Sequence, residues 1–108
     1  MGLIHVDLFT TVDGVAQAPG GPEEDLTEGF AFGGWQAPLI DEVVGDQVVQ
    51  SMSQMDALLL GRRTYDLFAA YWPHQGGVIA ERLNRIPKYL VSRTPRDLRW
   101  AGTQQLGT

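Results

Sequence analysis

Apolar and β-branched residues crowd the start of the chain, where Leu3-Ile4-His5-Val6-Asp7-Leu8-Phe9-Thr10-Thr11 reads as a strand. It runs into Val12-Asp13-Gly14-Val15, whose Asp-Gly pair signals a turn. Residues 17–34 are dense in glycine and proline and read as a long loop, the kind that carries function in small domains. Phe30, Phe32 and Trp35 lie in or beside it, either folded back onto the body or lining a pocket. A helix is expected from about Pro38 to Gln54. Pro38 suits a first helical turn, and Leu39, Val43, Val44, Val48 and Met52 recur at helical spacing. Ala57-Leu58-Leu59-Leu60 is a continuous apolar run, as in a central strand buried on both faces.

Gly61-Arg62-Arg63 is the exit turn, and Thr64 reads as the cap of a second helix over Tyr65–Tyr71, stopped by Trp72-Pro73. A short helical turn is expected over Val78–Asn84, and a third strand over Lys88–Ser92. The stretch from Arg96 to Thr108 is polar and reads weakly, with a short strand near Leu98–Trp100. Strand, helix, strand, helix, strand is the plan of a parallel α/β sheet. The strands expected as core neighbours are Leu3–Thr10, Ala57–Leu60 and Tyr89–Ser92, joined by right-handed crossovers.

The 108 residues suffice for one compact domain, and 44% apolar content supports a core. With 8 basic and 13 acidic residues the net charge is −5, and no basic patch of the kind nucleic-acid binders carry is evident. The absence of cysteine excludes disulfides and thiolate chemistry and fits a cytoplasmic setting. No apolar run is long enough for a membrane span. His5 reads as a core histidine and His74 as a surface residue, and their placement gives no metal-ligand spacing.

Parallel sheets bind ligands outside the carboxyl ends of their strands. That rule selects Val12-Asp13, Gly61-Arg62-Arg63-Thr64 and Ser92-Arg93-Thr94. Glycine lets a backbone approach a ligand, a helix start offers free N–H groups, and guanidinium matches phosphate oxygens. The plainer reading of these residues is a polar turn with solvated arginines.

Leu58-Leu59-Leu60-Gly61-Arg62-Arg63-Thr64-Tyr65-Asp66 resembles the strand–turn–helix of dihydrofolate reductases. Val12-Asp13-Gly14-Val15 resembles the start of that family's mobile loop, Trp35-Gln36-Ala37-Pro38 its Trp-x-x-Pro approach to the first helix, and Leu90-Val91-Ser92-Arg93 its strand at the adenosine 2′-phosphate. The Asp13-Gly14 pair, the loop Gln17–Pro22 and Ala69-Ala70-Tyr71-Trp72-Pro73 look like the bacterial branch related to the reductase (RibD C-terminal) domain of riboflavin biosynthesis. The resemblance implies a three-layer dihydrofolate-reductase-like α/β/α domain with a mostly parallel sheet. It implies hydride transfer from NADPH to a pteridine- or pyrimidine-like small molecule, as in a phosphoribosylaminouracil reductase. The alternative is a nucleotide-binding relic or interaction module without turnover.

By that resemblance Gly61, Arg62, Arg63 and Thr64 hold cofactor phosphates, Ser92 and Arg93 serve the 2′-phosphate, Asp13 positions substrate and Trp35 walls its pocket. The position of the folate reductases' catalytic carboxylate is Ile40 here. Asp41 follows, about 100° further round a helix, and is either a catalytic candidate or a helix-start charge. Nothing after Thr94 resembles the family's later strands or its glycine-rich turn, so the chain reads as the N-terminal part of such a domain. A part of a sheet leaves an unpaired edge, and a homodimer is expected.

Overall fold

The computed structural model describes residues 2–107 and divides into two compact units, Met1–Asp41 and Glu42–Thr108.

The second unit holds the regular structure. Its elements are α1 (Glu42–Ser53), β1 (Leu58–Gly61), α2 (Arg62–Tyr71), α3 (Val78–Arg85), β2 (Lys88–Val91) and β3 (Thr103–Leu106). The sheet is parallel throughout, in the order β1-β2-β3. Leu58 pairs with Lys88 and Gly61 with Val91; Lys88 pairs with Thr103 and Val91 with Leu106. The expected pairing of the Leu58–Leu60 and Tyr89–Val91 runs is therefore present, and the fold is α/β.

Several expectations are corrected. Leu3–Thr10 forms no strand; every residue in it is exposed, including His5, which is not a core residue. Strand propensity is realised only against a partner edge that takes up the backbone N–H and C=O groups. The third strand of the sheet is instead Thr103–Leu106, and Leu98–Trp100 is irregular. Pro38 lies in a separate 3₁₀ turn, Ala37–Leu39, so α1 begins only at Glu42. Ile40 between them has extended backbone, φ −75° and ψ 126°, which interrupts the helical pattern. Helix α2 starts at Arg62 with Gly61 as its flanking residue, so Thr64 stands inside the first turn and not at the cap. Strand β1 lies at the sheet edge, not at its centre, and Leu59 is 56% exposed.

The core of this unit is Leu60, Tyr65, Leu83, Leu90 and Trp100. Trp100 ties it together. Its Nε1–H donates to Asn84 Oδ1 at 2.7 Å, its backbone N–H donates to Tyr65 Oη at 3.3 Å, and its ring meets those of Tyr65 and Phe68. Arg82 of α3 closes the end of α1, donating from Nη2 to the carbonyls of Ser53 and Met55 at 3.2 and 2.6 Å.

Lys88 is the chain's one lysine, and it is fully buried. Its Nζ donates to the carbonyls of Asn84 and Ala101 at 2.7 and 2.8 Å and sits 4.4 Å from the Trp100 ring centroid. Carbonyl dipoles and a ring face replace water, with no carboxylate within ion-pair distance among the described residues. Burial lowers its pKa from the usual 10.5. The folded chain then binds fewer protons than the unfolded one between that lowered value and 10.5, so stability rises with pH across the window. Urea unfolding on the alkaline side is expected to show a rising midpoint that disappears in Lys88→Met; a flat wild-type profile would contradict the buried cation.

Candidate functional site

The carboxyl edge of the sheet gathers two of the sequence-selected clusters. Register sets Gly61 beside Val91, so the Gly61-Arg62-Arg63-Thr64 turn and the Ser92-Arg93-Thr94 turn leave neighbouring strands at the same edge. Helix α2 opens here without any side-chain cap, and its first-turn N–H groups have no intrahelical acceptor. Arg62, Arg63, Thr64 and Arg93 are exposed, and among the described residues no carboxylate pairs with these arginines. Nothing lies within 4 Å of where a Gly61 Cβ would stand, so the approach to the turn is open. The donor set is three guanidinium groups and a helix start, which fits a polyphosphate.

Ser92 is engaged differently from the sequence expectation. Its hydroxyl donates to the Thr94 carbonyl at 2.9 Å and accepts from the Thr94 N–H at 3.3 Å. The side chain shapes its own turn and leaves Arg93 as that turn's free donor.

The first unit holds Asp13 and Trp35 in one cavity of about 470 Å³, with Thr11, Phe30 and Phe32 in its wall. The lining is largely apolar, with one carboxylate. Phe30 and Phe32 meet edge to face, ring centroids 5.8 Å apart. Trp35 is fixed by its Nε1–H, which donates to the Gln17 carbonyl at 2.9 Å; Gln17 in turn donates from Nε2 to the carbonyls of Asp25 and Thr27. Asp13 sits in a tight turn in which Thr11 N–H donates to Val15 O and Gly14 N–H to Thr11 O. The Thr11 hydroxyl donates to Asp13 Oδ1 at 2.5 Å. That bond first, and the turn's own backbone N–H second, hold the Asp13 pKa below its usual 3.8. Asp13 is thus an ionised acceptor at neutral pH, suited to anchoring a ligand's N–H groups and not to donating a proton.

The cavity depends on a close backbone approach. A Cβ at Gly33 would lie 2.4 Å from the Pro22 carbonyl oxygen, and Gly34 beside it has φ +76°. Gly33→Ala is expected to destabilise this unit by about 1–3 kcal/mol, as overpacking against immobile backbone does. Near-ultraviolet circular dichroism of the Trp35 environment would report it, and an unchanged spectrum and melting curve would refute the tight approach.

Asp41 lies outside this cavity. It is exposed and stands immediately before α1, and Glu42 opens that helix. Among the described residues no group of three His, Cys, Asp or Glu side chains is placed to hold a metal ion.

A parallel α/β sheet with two arginine-bearing turns at its carboxyl edge fits a domain of the dihydrofolate-reductase-like class. A family model, the RibD C-terminal domain, matches residues 3–106, nearly the whole chain; the chain therefore belongs to the RibD C-terminal domain family. That family points to reductase-type chemistry in riboflavin biosynthesis. Comparison with curated proteins gave no match. No described helix is long and apolar enough to cross a membrane.

Proposed function

We propose that the chain is an NADPH-dependent reductase domain acting on a pteridine- or pyrimidine-like small molecule. The observation that carries this reading is the pairing of two unneutralised arginine turns at one carboxyl sheet edge, in a chain of a reductase family. NADPH supplies the hydride when bound. The first turn of α2, with Arg62, Arg63 and Thr64, holds pyrophosphate. Arg93 pairs with the 2′-phosphate, whose charge NADH lacks. In the first unit, Trp35 and the two phenylalanines exclude water from a flat heterocycle, and Asp13 accepts from its ring or amino N–H groups. These residues orient the acceptor; none is placed as a proton donor.

Two further expectations belong to this reading. A homodimer is supported by the unpaired outer edge of β1 and by the exposed apolar residues Leu3, Ile4, Val6 and Leu8. A cytoplasmic setting is supported by the absence of cysteine.

The test is loss of NADPH absorbance on incubation with a panel of pteridines and aminopyrimidines. Turnover with at least one, abolished or strongly reduced in Asp13→Ala, supports the reading. NADPH binding without any turnover would favour a nucleotide-binding module, and no binding would remove both.

A further inference from the structure

Arg93 lies on a short turn between a strand and an irregular segment. An exposed arginine on a free turn is a poor selector, because ordering it on binding costs conformational entropy. The structure shows what restrains this turn, and it is a residue from another strand.

Gln105 of β3 stands beside Leu90 in the ladder. Its Nε2 donates to the carbonyls of Ser92 and Thr94 at 3.4 and 2.8 Å, and its Oε1 accepts from the Arg96 N–H at 3.1 Å. One half-buried amide thus satisfies three backbone groups that flank Arg93 on both sides. Beyond the turn, the Arg96 guanidinium pairs with Asp66 of α2, the helix whose first turn carries Arg62 and Arg63. Ser92 N–H donates to Leu106 O at 3.4 Å, closing the same turn against the end of β3.

We propose that Gln105 is a positioning residue for cofactor selectivity, holding the Ser92–Arg96 turn so that Arg93 meets a ribose 2′-phosphate, with the Arg96–Asp66 pair tying that turn to the other arginine cluster. The proposal rests on the cofactor reading above. An amide is required: it is the neutral side chain that offers two donors and an acceptor at one planar end. Glutamate in its place would face the Ser92 and Thr94 carbonyls with negative charge, and an apolar residue would leave both carbonyls and the Arg96 N–H unmatched.

The test is titration calorimetry of NADPH and NADH on the whole chain for wild type, Gln105→Met, Arg93→Ala and the double variant. Gln105→Met is expected to weaken NADPH about tenfold, the loss of one charge-assisted contact, with little change for NADH. It is expected to add little to Arg93→Ala, because residues acting through one another are not additive. Equal losses for both cofactors, or a full additional loss on Arg93→Ala, would mean general destabilisation and overturn the proposal. Gln105→Asn, one methylene shorter, repeats the test with the amide retained should the methionine variant not fold. Amide hydrogen exchange at Thr94 and Arg96 separates this inference from the one it rests on. Faster exchange in the variant supports the restraint even if wild type shows no NADPH preference, an outcome that overturns the cofactor reading alone. Unchanged exchange overturns the restraint whatever the cofactor does.

Discussion

Arg93→Ala is expected to weaken NADPH roughly tenfold or more and to leave NADH nearly unchanged. A charge-assisted bond between guanidinium and phosphate contributes on the order of 1.5–3 kcal/mol, and about 1.4 kcal/mol is a factor of ten in affinity. Arg93 has no competing carboxylate partner among the described residues, so a cofactor phosphate need not displace one. Arg62→Ala is expected to behave differently, because Arg62 opens α2 and faces phosphate common to both cofactors in the proposed arrangement. It should weaken NADPH and NADH by similar factors. Salt should reduce the Arg93 effect, since the site is exposed and screened. Calorimetric titration of both cofactors against both variants checks the pattern. Equal losses in Arg93→Ala would place that residue away from the 2′-phosphate.

The largest stability effect is expected at Trp100. The residue is 2% exposed, and its ring packs on Tyr65 and Phe68 and lies under the Lys88 ammonium. Trp100→Ala removes that ring and leaves Asn84 Oδ1 without its donor and Lys88 without its aromatic face. Truncating a buried aromatic costs about 3–5 kcal/mol, against a total stability of about 5–15 kcal/mol for typical domains. Trp100→Phe retains most of the packing and should lose much less. Denaturant midpoints of the two variants test this. Similar midpoints for Trp100→Ala and wild type would show that the ring is no part of the core.

Trp100 also marks where the sequence is hard to read. It is a lone aromatic in a polar stretch, and nothing local distinguishes it from a surface residue. Its burial comes from three separate segments, through Tyr65, Asn84 and Lys88. The same holds for β3, whose Thr-Gln-Gln-Leu sequence has weak strand character and is ordered by pairing with β2. By contrast β1 shows as the apolar run Leu58-Leu59-Leu60 and β2 as Tyr89-Leu90-Val91 behind Lys88, and α3 lies where a short helical turn is expected over Val78–Asn84. Leu3–Thr10 fails in the opposite direction: strong propensity gives no strand without a partner edge.

Both arginine turns were accessible from sequence, because the strand-end rule needs only the order of strands and helices. The same rule also selects Asp13, but from a strand over Leu3–Thr10 that does not form; Trp35 rests on resemblance alone, and the fold of the first unit brings both to one cavity. Gln105 was not accessible. Its importance arises from the register Leu90↔Gln105, which no local pattern encodes.

The central claim is that the carboxyl edge of this sheet recognises a phosphorylated dinucleotide. Paired titrations of the wild-type chain with NADPH and NADH under one salt condition test it most directly. NADPH is expected to bind at least about tenfold more tightly, as one guanidinium–phosphate contact implies. Equal affinities, or no binding of either cofactor, would contradict the account.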